Sequence, residues 1–229
     1  MAVVQSPFQS IPGGLLELAE RPLSRDAQDP HAPPTEPKIL HGLPLAAQLP
    51  RGRLIEFVDG HGLAPVTSAV ACLRYAQQQG ETTAWIEPSC GSLFPPDLAD
   101  SGIDLQALVI VRIPDTSGPY GLCKAADLLL RSDGFGMVVL DLLHSIPSRD
   151  NAWQGRLLSL AREHESWLII LSPARAEGSL GPLISLCIET RRSRIENGLF
   201  SLTSHIRKDK SAALGSLLPE QRRGPWGLL

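Results

Sequence analysis

Eight residues of this chain have the types and spacing that raise the question of phosphate chemistry. Gly60-x4-Pro65-Val66-Thr67 keeps the first glycine and the final hydroxyl of the phosphate-binding pattern G-x-x-x-x-G-K-[ST] and changes the two positions between them. In a working loop, successive backbone N–H groups surround the β-phosphate, a lysine ammonium neutralises the β- and γ-phosphates, and the next helix adds its positive end. Here Val66 stands in the lysine position. Pro65 replaces the second glycine, which removes one N–H and fixes φ near the helical value. Starting the register at Asp59 puts Pro65 in the lysine position and a carboxylate beside any phosphate. In either register the residues predict poor nucleotide binding and a structural strand-to-helix turn.

Other constellations carry less. The cysteines at 72, 90, 123 and 187 form no C-x-x-C pair, and the six histidines show no i, i+4 pairing, so neither a disulfide framework nor a metal site is expected. Ser89, Cys90 and His144 lack the G-x-S-x-G elbow of a nucleophile. The strongest local charge feature is residues 191–210, with six Lys/Arg against Glu196 and Asp209. Its members Arg191, Arg192, Arg207, Lys208 and Lys210 read equally as a solvated edge hairpin and as a contact for phosphates or an acidic partner.

These residues must be positioned by a chain of 229 residues, 43% hydrophobic and 20% charged, which fits one α/β domain with appendages. The net charge of -3 gives no global argument for nucleic acid. No apolar run approaches a membrane span, and MAVVQSPFQS lacks the features of a signal peptide, so a cytoplasmic protein without membrane contact is expected. Residues 1–37 hold seven prolines and one short amphipathic piece, GLLELAER, and read as a flexible N-terminal arm. Residues 38–210 read as the core. Apolar runs at 53–58, 82–86, 105–113, 136–143 and 167–172 alternate with helical patterns at 69–79, 121–131 and 153–164, the spacing of a parallel sheet flanked by helices. Residues 183–192 and 199–207, joined by Glu196-Asn197-Gly198, read as an antiparallel hairpin at the C-terminal sheet edge. Residues 211–229 read as a flexible tail that binds a partner through Leu217, Leu218, Trp226, Arg222 and Arg223; its deletion is expected to leave the melting temperature little changed.

The succession of these segments resembles the RecA family over about residues 38–210. LPRGRLIEF resembles the lead-in to that family's phosphate loop. The strand ending at Asp141 resembles the one bearing its magnesium-associated aspartate, and Arg207-Lys208-Asp209-Lys210 resembles the late strand whose lysines face a neighbour's nucleotide. Within the superfamily the chain looks most like ImuA, the SulA/RecA-like accessory family of bacterial mutagenic translesion synthesis. That resemblance implies a RecA-like core acting without catalysis in the response to DNA damage. The implied partners are RecA, an ImuB-like protein and, through it, an error-prone polymerase and the sliding clamp, with weak direct contact with DNA and nucleoid association when recruited. Ser89 falls where RecA-type ATPases carry a catalytic glutamate, so no catalytic residue, cofactor or metal is expected, and Asp141 reads as vestigial. The segments after Leu143 and Ser172 correspond to the family's DNA-holding loops and retain Arg149 and Arg175. Two other classes share the ancestry: a divergent ATPase of RecA or KaiC type, and a SulA-like inhibitor of cell division.

Overall fold

The apolar runs are joined by helical segments, and right-handed crossovers of this kind return successive strands to one parallel sheet. The computed structural model describes residues 44–91, 93–147, 151–176, 178–195, 198–210, 214, 217 and 219–223. Its strands are β1 (Arg53–His61), β2 (Thr83–Pro88), β3 (Leu108–Ile113), β4 (Met137–Asp141), β5 (Trp167–Ser172), β6 (Leu186–Arg194), β7 (Leu199–Asp209) and β8 (Glu220–Arg223). Its helices are α1 (Leu45–Gln48), α2 (Ala64–Gln78), α3 (Pro95–Asp100), α4 (Gly118–Arg131) and α5 (Ala152–Glu163). The sheet order is β3-β2-β4-β5-β1-β6-β7-β8. From β3 to β6 neighbours run parallel, while β6 with β7 and β7 with β8 are antiparallel. This is the expected α/β architecture, a mostly parallel sheet with an antiparallel hairpin on its C-terminal side.

Side chains alternate along each central strand, so the two faces of the sheet feed two cores. Ile55, Phe57, Trp85, Val139, Ile169 and Ile188 pack with Ala69, Cys72 and Leu73 of α2. Leu54, Ile86, Leu140, Ile170 and Cys187 pack with Leu122 and Ala126 of α4 and Leu157 of α5. Trp167 ties the N-terminal side down: its indole N–H donates to the Leu49 carbonyl at 2.9 Å, and the Arg51 guanidinium lies 3.8 Å from its ring centroid.

The sequence places β5 without error, because Trp167–Ser172 is buried at every position. Elsewhere the bounds shift. Leu105–Ala107 is a 3-10 turn capped by Asp104 rather than the start of β3, and a short helix, α3, lies between β2 and β3. The larger correction is at the C-terminus, where Glu220–Arg223 is an eighth strand paired with Leu199–Leu202 of β7 instead of part of a tail. The Leu45 N–H donates to Glu220 Oε1 at 3.5 Å, and Leu214 and Leu217 pack on the α2 core. A polar four-residue strand carries no alternation to read; it forms because β7 offers it an open edge. The remainder of that segment, including Leu218 and Trp226, lies outside the described residues, as do the arm at 1–37 and the Glu196-Asn197 turn. Deleting 211–229 is therefore expected to lower stability by about 2–3 kcal/mol, roughly 5–10 °C in melting temperature, from the lost leucine burial alone. Thermal unfolding of the truncated chain checks this; an unchanged midpoint would return the segment to the status of a tail.

Candidate functional site

In a parallel sheet the loops at the carboxyl ends of the strands form the site, and β1 ends at the centre of this one, between β5 and β6. β1 does not stop early to release a phosphate loop. It continues to His61 in register with Arg191 of β6, across an irregularity between Asp59 and His61, and α2 begins at Ala64. Only Gly62 and Leu63 join strand to helix, both left-handed at φ 76 and φ 54. The glycine tolerates this; Leu63, exposed, carries backbone strain on the order of 1–2 kcal/mol. Gly60 is required by crowding, since a Cβ there would lie 2.6 Å from Arg191 Cγ and 2.8 Å from Glu189 Oε1.

The helix start supplies few donors. Pro65 has no N–H, the Val66 N–H returns to the Leu63 carbonyl at 3.2 Å, and the Val66 side chain packs on the α2 core. The Thr67 hydroxyl accepts from Arg192 Nη1 at 3.1 Å, and the same guanidinium lies 5.1 Å from the Phe200 ring centroid. Arg192 thus fastens the β6–β7 hairpin to the N-terminus of α2. Beneath this contact Asp59 and Thr190 sit side by side in register; Asp59 Oδ1 and Thr190 Oγ1 are buried without a hydrogen-bond partner among the described residues.

The other expected positions are separate from this loop. Ser89 is exposed, and both its N–H and its hydroxyl donate to the Ile113 carbonyl, at 2.9 and 3.1 Å, closing the β2–β3 end. Asp141 is buried at the end of β4, where Oδ1 accepts from the Leu143 N–H at 2.9 Å. Burial, only partly offset by that bond, raises its pKa above the usual carboxylate range. No group of three or more His, Cys, Asp or Glu side chains suited to a metal occurs among the described residues. Arg149 lies outside them.

Three members of the basic cluster, Arg207, Lys208 and Lys210, bond to the loop that follows β5. Arg207 Nε donates to Glu189 Oε2 at 2.6 Å and Nη1 to the Arg175 carbonyl at 2.9 Å. Lys208 Nζ donates to Ser179 Oγ at 3.0 Å and to the Gly181 carbonyl at 3.1 Å, and Lys210 Nζ donates to the Pro182 carbonyl. Arg191 pairs with Glu189 Oε1 at 2.6 Å while most of its side chain remains exposed. Hydrogen bonds from Arg191, then Arg207, hold Glu189 below the usual carboxylate range, so its contribution is present at neutral pH and lost as pH falls through that lowered pKa. From below, Glu56 completes the clamp: it is fully buried, accepts from Ser172 Oγ at 2.7 Å and the Leu180 N–H at 2.8 Å, and pairs with Arg175 at 2.9 Å. Arg222 of β8 donates to Glu220 at 2.6 Å. Arg223 stands opposite Leu199.

Glu56 and Glu189 are the residues that sequence reasoning passes over. The signal is present, for a carboxylate inside LIEFV or LCIET must find donors once the strand is buried, but those donors are a hundred or more residues away for Glu56.

Comparison with known proteins agrees with this architecture. The chain is 30% identical to the protein RecA of Salinispora tropica over 149 residues, 65% of this chain and 40% of that protein. It is 34% identical over 93 residues to the RecA of Kineococcus radiotolerans (41% and 26%) and 29% identical over 123 residues to that of Rickettsia massiliae (49% and 35%). No family model matches. This distant, partial homology supports a place in the RecA-like superfamily, and the chain spans about two fifths or less of the length of these relatives.

Proposed function

We propose that this RecA-like chain is a non-catalytic accessory protein of DNA-damage-induced mutagenesis, acting through protein contacts in translesion synthesis. The observation that carries the non-catalytic reading is the two-residue link between β1 and α2. Strand pairing takes up the backbone through His61, a proline and a valine replace the donor glycine and the lysine, and Arg192 occupies the hydroxyl of Thr67. Magnesium-bound nucleotide does not fit these residues: the loop has no lysine, and its helix start offers few free N–H donors. On this reading the partners are RecA, an ImuB-like protein and, through it, an error-prone polymerase and the sliding clamp, in the cytoplasm and at the nucleoid. No helix among the described residues is long and apolar enough to cross a membrane.

One observation favours a second reading, a divergent ATPase of RecA or KaiC type. Arg192 brings a cation beside the Thr67 hydroxyl, where a phosphate would need one. Calorimetric titration with magnesium-ATP separates the two. The expected result is no binding heat up to about 1 mM nucleotide, which corresponds to a binding energy weaker than about 4 kcal/mol, and no hydrolysis. Val66→Lys is expected to be equally silent, because a lysine does not lengthen the link. Stoichiometric, magnesium-dependent binding by the wild type would establish the ATPase reading.

A further inference from the structure

A cavity of about 240 Å³ opens at the carboxyl ends of β2, β3 and β4, away from the β1–α2 link. Pro88, Ile113, Pro114 and Leu122 give it apolar walls, Asp141 and Asp115 give it carboxylates and His144 an imidazole; among the described residues no lysine or arginine lines it. Asp141 is 1% exposed. Its Oδ1 has the Leu143 N–H, but its Oδ2 is buried and has no hydrogen-bond partner among the described residues. A buried carboxylate oxygen left without a donor marks a place where a donor is missing.

The chemistry of that donor follows from the walls. A metal ion would need further ligands, and no set of three is present among the described residues. The space takes one long side chain and excludes a helix, whose diameter is about 10–12 Å. An alkylguanidinium meets both demands: its stem suits proline and isoleucine, and its planar, weakly hydrated head suits a carboxylate under an apolar rim.

We propose that this cavity receives one arginine side chain from a partner protein, its guanidinium donating to Asp141 Oδ2 and its stem lying against Pro88, Ile113, Pro114 and Leu122. The site is independent of the proposed role in mutagenesis and of which protein supplies the arginine.

Cys90 reports on occupancy. It lines the cavity and is exposed, whereas Cys72, Cys123 and Cys187 are buried, with burial pushing the thiols of Cys123 and Cys187 up to about 12. The full chain is labelled with iodoacetamide, and modification of Cys90 is followed by mass spectrometry in the presence of N-acetylarginine amide or its neutral isostere, N-acetylcitrulline amide. At about ten times a millimolar dissociation constant, the arginine compound slows labelling by about tenfold. Citrulline amide has little effect, and Asp141→Asn abolishes the protection. The proposal is overturned by absence of protection, by equal protection from citrulline amide, by protection that survives Asp141→Asn, or by protection from magnesium chloride alone. Should Asp141→Asn fail to fold, the contrast between arginine and citrulline on the wild type decides.

Discussion

Glu56→Ala is expected to destabilise the domain by about 3 kcal/mol, because Glu56 is fully buried and its removal leaves the half-buried Arg175 charge without compensation. Two donors lose their acceptor, the Ser172 hydroxyl and the Leu180 N–H, and the Arg175 guanidinium loses its ion-pair partner. Urea unfolding measures the loss as a fall in midpoint at constant slope. Glu56→Ala with Arg175→Ala should cost less than the sum of the single changes, since the second removes the charge that the first strands. A loss below about 1 kcal/mol for Glu56→Ala would mean that the pair is solvated and the clamp on the 173–182 loop is loose.

Arg207→Ala is expected to act on the same loop from the other side, with a local rather than global effect. Its guanidinium holds both Glu189 and the Arg175 carbonyl, whereas Glu189 keeps Arg191 as a second partner after the change. Losing a charge-assisted bond to a partly buried carboxylate and a bond to a loop carbonyl costs about 2–3 kcal/mol of loop stability. Cleavage after Arg175 by trypsin reads that loop directly. If local opening controls cleavage, the rate rises by about 30- to 150-fold in the variant while the unfolding midpoint falls less than for Glu56→Ala. Equal rates in variant and wild type would show that Lys208 and Lys210 suffice to hold the loop.

The parallel part of the fold is legible because strands covered on both faces must be apolar throughout, as MVVLD and WLIILS nearly are, and the edge strand LVIVRI is apolar enough to be read with them although Val109 and Arg112 are exposed. Its periphery is not. Glu220–Arg223 becomes a strand through a neighbour's open edge, and α3 begins at a proline pair that also fits a loop. The phosphate-loop position is legible in part: Val66 and Pro65 state the loss of lysine and glycine, but the shortening of the link depends on β6 running beside β1 as far as His61, which spacing alone does not reveal. The basic cluster shows the reverse. As a run of charge, Arg207, Lys208 and Lys210 suggest an outward surface, yet each donates to the β5–β6 loop of its own domain, because Glu189 and the loop carbonyls lie beneath them.

The proposal as a whole stands on partner binding that does not need nucleotide. The most direct measurement is affinity capture of the tagged full-length chain from DNA-damaged cells, with the lysate divided into a portion supplied with magnesium-ATP and a portion depleted of nucleotide by apyrase. The account predicts that RecA and an ImuB-like protein are retained on the chain in the depleted portion. Capture of neither protein, or capture that appears only with magnesium-ATP, would contradict it.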